Sequence, residues 1–218
     1  MTAQALLNLF TAAAAGRFPA VDGGVTYFGR PAPGLSAVVC VTGHAFVASD
    51  LSADALADLH LDGFGRALAP EVLLRLAGDD GVIGVIDALV VAHATGPQPS
   101  TAPLPPRRDL AGHPRVRYAA SLRQDVQVFG DERGFITLSS GLAGRRELSI
   151  ELLSVAGAGA GRALLQAALA LDPPGTPVFA AISPGNARSL RCFLAAGFVP
   201  IGSEVIIQHR QSRHEGTS

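Results

Sequence analysis

Apolar and polar residues alternate over three short segments in the second half of the chain. The segments DVQVF and GFITL alternate on either side of the four-residue turn Gly130–Arg133, a pattern typical of a β-hairpin. The segment ELSIEL alternates in the same way, so one of its faces is apolar and the other carries Glu147, Ser149 and Glu151. These patterns predict three strands that follow one another along the chain.

The next segments change to the period of a helix. A glycine-rich stretch, VAGAGAG, is followed by Leu164, Leu165 and Leu169 at helical spacing. The strand PVFAAI comes next, then a helix that begins at Asn186, then GFVPIGSEVII, which reads as one or two strands. The second half therefore alternates strands with helices, as a mixed α/β domain does.

The first half is also mixed α/β. LSAVVCVTGHAFVAS predicts one or two strands, PEVLLRLAG a short helix, and GVIGVIDALVVAH one buried strand. LSADALADLHLDGF predicts a helix capped by Ser49 or Asp50. The pairing of these strands does not follow from the sequence.

A proline-rich segment, Gly96–Arg108, lies near the middle of the chain and shows neither the strand period nor the helix period. Five prolines among small polar residues exclude helix and central strand. This predicts an N-terminal α/β region at residues 1–103, a second domain at residues 104–210, and a polar tail at residues 211–218.

Composition excludes several classes of protein. The chain has 218 residues, 48% of them hydrophobic, and its basic residues are not interleaved with aromatic ones, so we expect a globular domain that binds no nucleic acid. The apolar run GVIGVIDALVVA is too short to cross a bilayer, and the alanine-rich start lacks a basic segment, so no membrane association or targeting is expected. The only cysteines, Cys40 and Cys192, lie far apart, which favours a reducing cytoplasmic setting and predicts no metal site.

The glycine-rich stretch indicates either an anion site or a close-packed turn. A loop of backbone N–H groups that opens into a helix N-terminus binds phosphate, since those donors have no partner within the helix. A dinucleotide fingerprint would need a third glycine where Arg162 stands, and no Gly-Lys-Ser/Thr follows for a nucleoside triphosphate. On the loop alone, both interpretations stay open.

A second segment, SPGNARSLRCFLAAGFVPIG, narrows the choice. The two segments together resemble the GNAT N-acetyltransferase superfamily, whose signature is a Gln/Arg-x-x-Gly-x-Gly/Ala loop between a strand and a helix, followed by a strand, an Asn-initiated helix carrying a Tyr, and Gly-Phe. The resemblance covers about residues 115–208 and implies a twisted mixed sheet flanked by helices. Two positions depart from it, because Ala156 stands at the Gln/Arg position and Phe193 at the Tyr position. The positions that match the two motifs are Gly159, Ala160, Gly161, Asn186, Ser189, Gly197 and Phe198.

The resemblance implies acetyl-CoA as the acyl donor and no metal. It assigns the pantetheine arm to the backbone of Leu152 and Leu153, and contacts with the cofactor to Asn186 and the ring of Phe193. The pyrophosphate would be held by the loop and first helical turn, which comprise Ala156, Gly157, Ala158, Gly159, Ala160, Gly161 and Arg162. The N-terminal half would be either an elaboration of the fold's opening elements or, as we slightly prefer, a degenerate second copy of it.

Acetyl transfer to an amine needs a route for the proton of the amine, and a carboxylate provides one. Glu147 and Glu151 are the candidate catalytic residues, because they share the polar face of the ELSIEL strand. The competing interpretation is that these acids pair with Arg145, Arg146 or another strand. The sequence thus predicts an N-acetyltransferase acting on a small-molecule or peptide amine, with a second copy of the chain as a candidate partner. A non-catalytic acyl-CoA-binding module is the alternative.

The charge distribution adds one expectation about the acceptor. Residues 1–103 contain nine acids and four arginines, a net charge of −5, whereas residues 104–218 contain nine acids and thirteen arginines, a net charge of +4. Acids of the N-terminal half at the acceptor cleft would favour a cationic acceptor. The competing interpretation places Asp54, Asp58 and Asp62 on one solvated stripe of an exposed helix.

Overall fold

The computed structural model describes residues 3–99, 102–153 and 157–210. Ala156 and the predicted tail at residues 211–218 lie outside the described residues. The five α-helices of the described chain are α1 (Ala3–Ala14), α2 (Pro70–Ala77), α3 (Pro114–Leu122), α4 (Ala160–Leu169) and α5 (Ala187–Ala195). Its ten strands are β1 (Val25–Phe28), β2 (Leu35–Val41), β3 (His44–Ala48), β4 (Gly81–Ile83), β5 (Asp87–His93), β6 (Gln124–Asp131), β7 (Gly134–Ser140), β8 (Arg146–Leu152), β9 (Pro177–Ile182) and β10 (Val199–His209).

The chain forms two compact units, neither of which is a continuous segment. The first unit contains residues 3–6, Phe18–Ile86 and 202–210, and the second contains Leu7–Arg17 and Asp87–Ile201. The predicted boundary at residue 103 is therefore not where the compact units divide. The strand just before the proline-rich segment, β5, belongs to the second unit, and the C-terminal strand contributes mainly to the first.

A mixed sheet in the order β5, β9, β8, β7, β6 is the centre of the second unit. All neighbours are antiparallel except β8 and β9, which run parallel. One face of this sheet is apolar because alternate residues of each strand point to it, among them Ile136, Leu138 and Leu148. Leu164 and Leu165 of α4 and Phe193 of α5 pack on that face and complete the core.

The opposite face of the same sheet is more polar. It carries Thr137 and Ser149, which are register partners and whose hydroxyls are 2.7 Å apart. Phe10 of α1 packs against Phe179 of β9, and His113 at the start of α3 packs edge-on against Phe135 of β7. Helices therefore flank both faces, as predicted for a mixed α/β fold.

The strands of the first unit also pair in a mixed arrangement. β2 and β3 form a hairpin, β1 lies parallel to β3, and β10 pairs antiparallel with both β2 and β4. The turn of the hairpin is tight, because Thr42 and Gly43 both have positive φ angles, 48° and 76°. Buried residues of α2 and of the strands, including Val38, Val47 and Leu73, form its core.

Local structure departs from the sequence expectations in three places. The segment predicted as a capped helix contains only a 3₁₀ helix, Asp54–Leu59, so the stripe argument for Asp54, Asp58 and Asp62 does not hold at three residues per turn. The apolar run predicted as one strand forms β4 and β5. The helices α1 and α3 and the strand β1 were not predicted; α3 nevertheless has a recognisable start, with Pro114 in its first turn.

Candidate active site

Strands β8 and β9 diverge. β8 pairs with β7 along its whole length, from Arg146 to Leu152, but within the described residues it shares with β9 the single register pair Glu147–Phe179. The edge of β8 between Ile150 and Leu152 is therefore left without a strand partner on this side. An unpaired strand edge accepts an extended, amide-containing chain through backbone hydrogen bonds. The N–H of Leu153, one residue further on, already donates to the carbonyl of Arg133 at 3.0 Å.

The glycine-rich loop ends at the N-terminus of α4. Gly159 is the N-cap residue with φ 81° and ψ −10°, a left-handed conformation that favours glycine. Ala160 donates its N–H to the carbonyl of Gly157 at 3.2 Å, whereas the N–H groups of Gly161 and Arg162 have no acceptor among the described residues. A helix start with unused donors has the electrostatics of an anion site.

The glycines of this loop differ in the space that surrounds them. A Cβ added at Gly157 or Gly159 would meet none of the described residues within 4 Å, so on their side both positions border open space. A Cβ at Gly161 would lie 2.6 Å from the Sγ atom of Cys192 and 3.2 Å from Leu152. Gly161 therefore allows α4 to pack closely, and any contact it makes with a ligand is limited to its backbone.

The other predicted cofactor contacts have distinct environments. Arg162 is exposed on the first turn of α4, which carries no acidic residue. Asn186 caps α5, since its Oδ1 accepts the N–H of Ser189 at 3.0 Å. The ring of Phe193 is only 2% exposed and packs edge-on against Phe198, so the structure does not support the predicted stacking of this ring on a cofactor. Ala158 is exposed beside Gly157 in the loop, and Ala160 opens the helix.

Glu147 is completely buried in an ion-pair network. Its carboxylate accepts hydrogen bonds from Nε and Nη2 of Arg145 at 3.1 and 3.0 Å, and Nη2 of Arg123 contacts its other oxygen. The Arg145 guanidinium lies 4.6 Å from the ring centroid of Phe10. Burial would raise the pKa of the Glu147 carboxyl, but the charges of Arg145 and Arg123 outweigh it and hold this pKa below its usual range. A buried carboxylate held in this way is poorly suited to accept a proton.

Glu151 lies on the same strand face but at an open end. It borders a depression of about 540 Å³ that is also lined by His113, Pro114, Arg115 and Tyr118. Its Oε2 accepts a hydrogen bond of 2.5 Å from Nε of Arg115, and both side chains are more than a third exposed. The geometry therefore favours Glu151 over Glu147 as a proton acceptor, although the catalytic role of either stays a prediction.

His113 was not singled out by its sequence context, yet it has a defined position in this depression. Its Nδ1 accepts the N–H of Arg115 at 3.2 Å as the N-cap of α3. Since Nδ1 is an acceptor, a neutral ring carries its proton on Nε2, which lies 3.9 Å from Oε1 of Glu151. The sequence signal that could have revealed it is His113 followed by Pro114, a cap residue before a helix-initiating proline.

The described residues contain no group of three or more His, Cys, Asp or Glu side chains arranged to hold a metal ion. Over the same residues, no helix has both the length and the apolarity that crossing a bilayer requires.

Neither protein-family profiles nor curated protein sequences give a match to this chain. Among solved structures, the chain is similar to a protein assigned to the GNAT acetyltransferase family from Novosphingobium aromaticivorans, with a TM-score of 0.41 and 14% identity over 61% of this chain and 69% of that one. It is also similar to a GCN5-related N-acetyltransferase from Kribbella flavida, with a TM-score of 0.40 and 14% identity over 65% of each chain. The two similar structures are GNAT acetyltransferases, the family that the sequence motifs resemble.

Proposed function

We propose that the protein is an acyl-CoA-dependent N-acyltransferase that transfers an acetyl group to an amine. The observation that carries the proposal is the divergence of β8 from β9 directly before a glycine-rich helix start. A CoA thioester has a pyrophosphate and an extended arm with two amides, and these two features of the fold match both parts.

The residues of the second unit fit such a donor. The unused N–H groups of Gly161 and Arg162 and the exposed Arg162 side chain would hold the pyrophosphate, and the open space at Gly157 and Gly159 would let it approach the backbone. The free edge of β8 up to Leu152 would pair with the pantetheine arm. Ala156, which stands where the family has Gln or Arg, lies outside the described residues.

Glu151 would take up the proton of the acceptor. In the reaction the amine nitrogen forms a bond to the thioester carbonyl carbon, the carbon–sulfur bond breaks, and the thiolate of CoA leaves. The acceptor amine loses a proton, which the carboxylate of Glu151 accepts and passes to water. With Phe193 buried and lacking a hydroxyl, the leaving thiolate receives no proton from that position.

The experiment is a thermal-shift titration followed by a turnover assay. Acetyl-CoA at a hundredfold excess over its Kd should stabilise the protein by about 2.7 kcal/mol, whereas NAD and ATP should not raise the Tm. Release of CoA thiol in the presence of amines should then fall at least tenfold in Glu151→Gln but not in Glu132→Gln, an exposed control in the β6–β7 turn. An equal shift with NAD would contradict the proposal.

The lack of a hydroxyl at Phe193 also favours a second candidate, a module that binds acyl-CoA without turnover. The same titration separates the two functions. Stabilisation by acetyl-CoA with no thiol release from any amine would establish the binding module and exclude the transferase.

A further inference from the structure

We propose that the acceptor is amino-acid-like, with a carboxylate next to its amine, and that Arg115 binds this carboxylate while Glu151 receives the amine. The inference rests on the proposed function, because it names the substrate class of the same site. It starts from the ion pair between Arg115 and Glu151 at the open end of β8.

A charged ligand can replace either partner of the Arg115–Glu151 ion pair at little cost. The side chains of Arg115 and Glu151 are 39% and 36% exposed, and an ion pair so open to water contributes little to stability. The pair Arg145–Glu147 on the same face is different, since both side chains are buried and cannot be reached by a ligand. Of these two pairs, only the first lines a depression that an acceptor can enter.

A ligand that carries both charges replaces both halves of the pair at once. Its ammonium group takes the place of the Arg115 guanidinium on Glu151, and its carboxylate takes the place of Glu151 on Arg115. A ligand with a positive charge alone would bind Glu151 and leave the Arg115 guanidinium without its partner, beside the positive end of α3. Charge complementarity therefore favours the zwitterion.

The chain segment that provides four of the five lining residues has a charge that also favours a carboxylate. Residues 104–122 contain four arginines and one aspartate, and that aspartate, Asp109, is already paired with Arg107 at 2.7 Å. A cationic excess of this kind attracts a carboxylate and repels an acceptor that is only cationic. Tyr118, 61% exposed, and Pro114 provide apolar walls for a side chain.

Acids of the N-terminal half, expected from the sequence to attract a cationic acceptor, already have partners within the first unit. In the first unit, Asp58 pairs with Arg75 at 3.0 Å and Asp62 accepts the N–H of Phe64 at 2.8 Å, so both carboxylates have local partners.

The test measures binding of each of the twenty L-amino acids and of its amide to the full-length protein by calorimetry, without any acyl-CoA. The amide keeps the amine and the side chain but has no carboxylate. At least one amino acid should bind about tenfold or more tightly than its amide. In Arg115→Gln this preference should disappear, because the acid binds more weakly while the amide binds equally well or better to the freed Glu151.

Arg117→Gln is the matched control, since it makes the same charge change on the same helix at an exposed position that does not line the depression. It should leave the ratio of acid to amide affinity within about twofold of wild type, and Arg115→Lys should keep part of the preference. Failure of every amino acid to bind, amides that bind as tightly as the acids, or equal losses in Arg115→Gln and Arg117→Gln would each overturn the proposal. Because the assay contains no CoA ester, these outcomes are distinct from a failure of acetyl-CoA to stabilise the protein.

Discussion

Gly161 and Cys192 are in direct contact, since a Cβ on Gly161 would lie 2.6 Å from the Sγ atom of Cys192. The glycine stands in the loop motif that indicates phosphate binding, but its missing side chain serves the packing of α4 against α5. At Gly157, four residues earlier in the same motif, an added Cβ would meet none of the described residues within 4 Å. The two glycines therefore allow packing and ligand binding to be tested separately.

Gly161→Ala is expected to lower the free energy of unfolding by about 1–3 kcal/mol, because the added methyl group overpacks a close contact. Gly157→Ala should change this free energy by no more than about 0.5 kcal/mol. Urea denaturation measures both. Gly157→Val should keep the fold and weaken binding of acetyl-CoA, and a Gly157→Val protein with unchanged affinity would show that the loop does not hold the pyrophosphate.

Arg162→Gln is expected to weaken acetyl-CoA binding by about 1 kcal/mol, or roughly fivefold, since it removes an exposed cation from the first turn of α4. The difference should shrink as salt screens the charge. Arg108→Gln, at an exposed position in a 3₁₀ turn of the same unit, is the control and should bind normally. Equal affinities of the two variants across a salt series would remove Arg162 from the donor site.

Glu147→Gln is expected to cost about 3–5 kcal/mol of stability, because it leaves the buried guanidinium of Arg145 and the largely buried one of Arg123 without their shared carboxylate. Nη1 of Arg123 is already buried without a partner among the described residues, so the network has no spare acceptor there. Glu151→Gln should cost less than about 1 kcal/mol, since its ion pair is open to water. Equal losses in the two variants, measured by urea denaturation, would contradict this contrast between the buried and the open carboxylate.

Stability should decrease on acidification. The pKa of Glu147 lies below its ordinary value of 4.5 in the folded protein, so its contribution is fully present above pH 4.5 and is lost as the pH falls through the lowered pKa. Asp131, whose pKa is lowered by its hydrogen bond from Arg133, adds to the loss in the same direction. The urea concentration at the unfolding midpoint, measured between pH 7 and pH 3, should decrease once the pH is below about 4.5. A midpoint concentration that rises as the pH falls over this range would contradict the assignment.

Both thiols should react slowly with alkylating reagents. Burial, reinforced by the charge of Asp62, raises the pKa of the Cys40 thiol from 9.0 to about 11, which lowers its thiolate fraction at pH 8 about a hundredfold. Burial also raises the pKa of the Cys192 thiol. Mass spectrometry after timed exposure to iodoacetamide, with glutathione as the reference, checks this, and labelling as fast as glutathione would refute it. Slow labelling would also keep the background of a CoA thiol assay low.

Much of the second unit follows from the sequence alone. Alternation and helical periodicity predict β6 to β9, α4 and α5, because each of these elements has one buried face and therefore a periodic pattern of apolar residues. The face shared by Glu147, Ser149 and Glu151 is read from the strand period and agrees with the register of β7 and β8. The glycine-rich start of α4 can likewise be predicted from neighbouring residues in the sequence.

The different environments of the two carboxylates are decided by tertiary structure. Glu147 and Glu151 are four residues apart on one strand face, and nothing in ELSIEL distinguishes them. Glu147 is buried because Arg145 and Arg123 converge on it, with Phe10 of α1 stacked over Arg145, whereas Glu151 faces the open start of α3. Burial and charge at one position depend on side chains distant in sequence that the fold brings together, and the periodicity of a single strand carries no information about them.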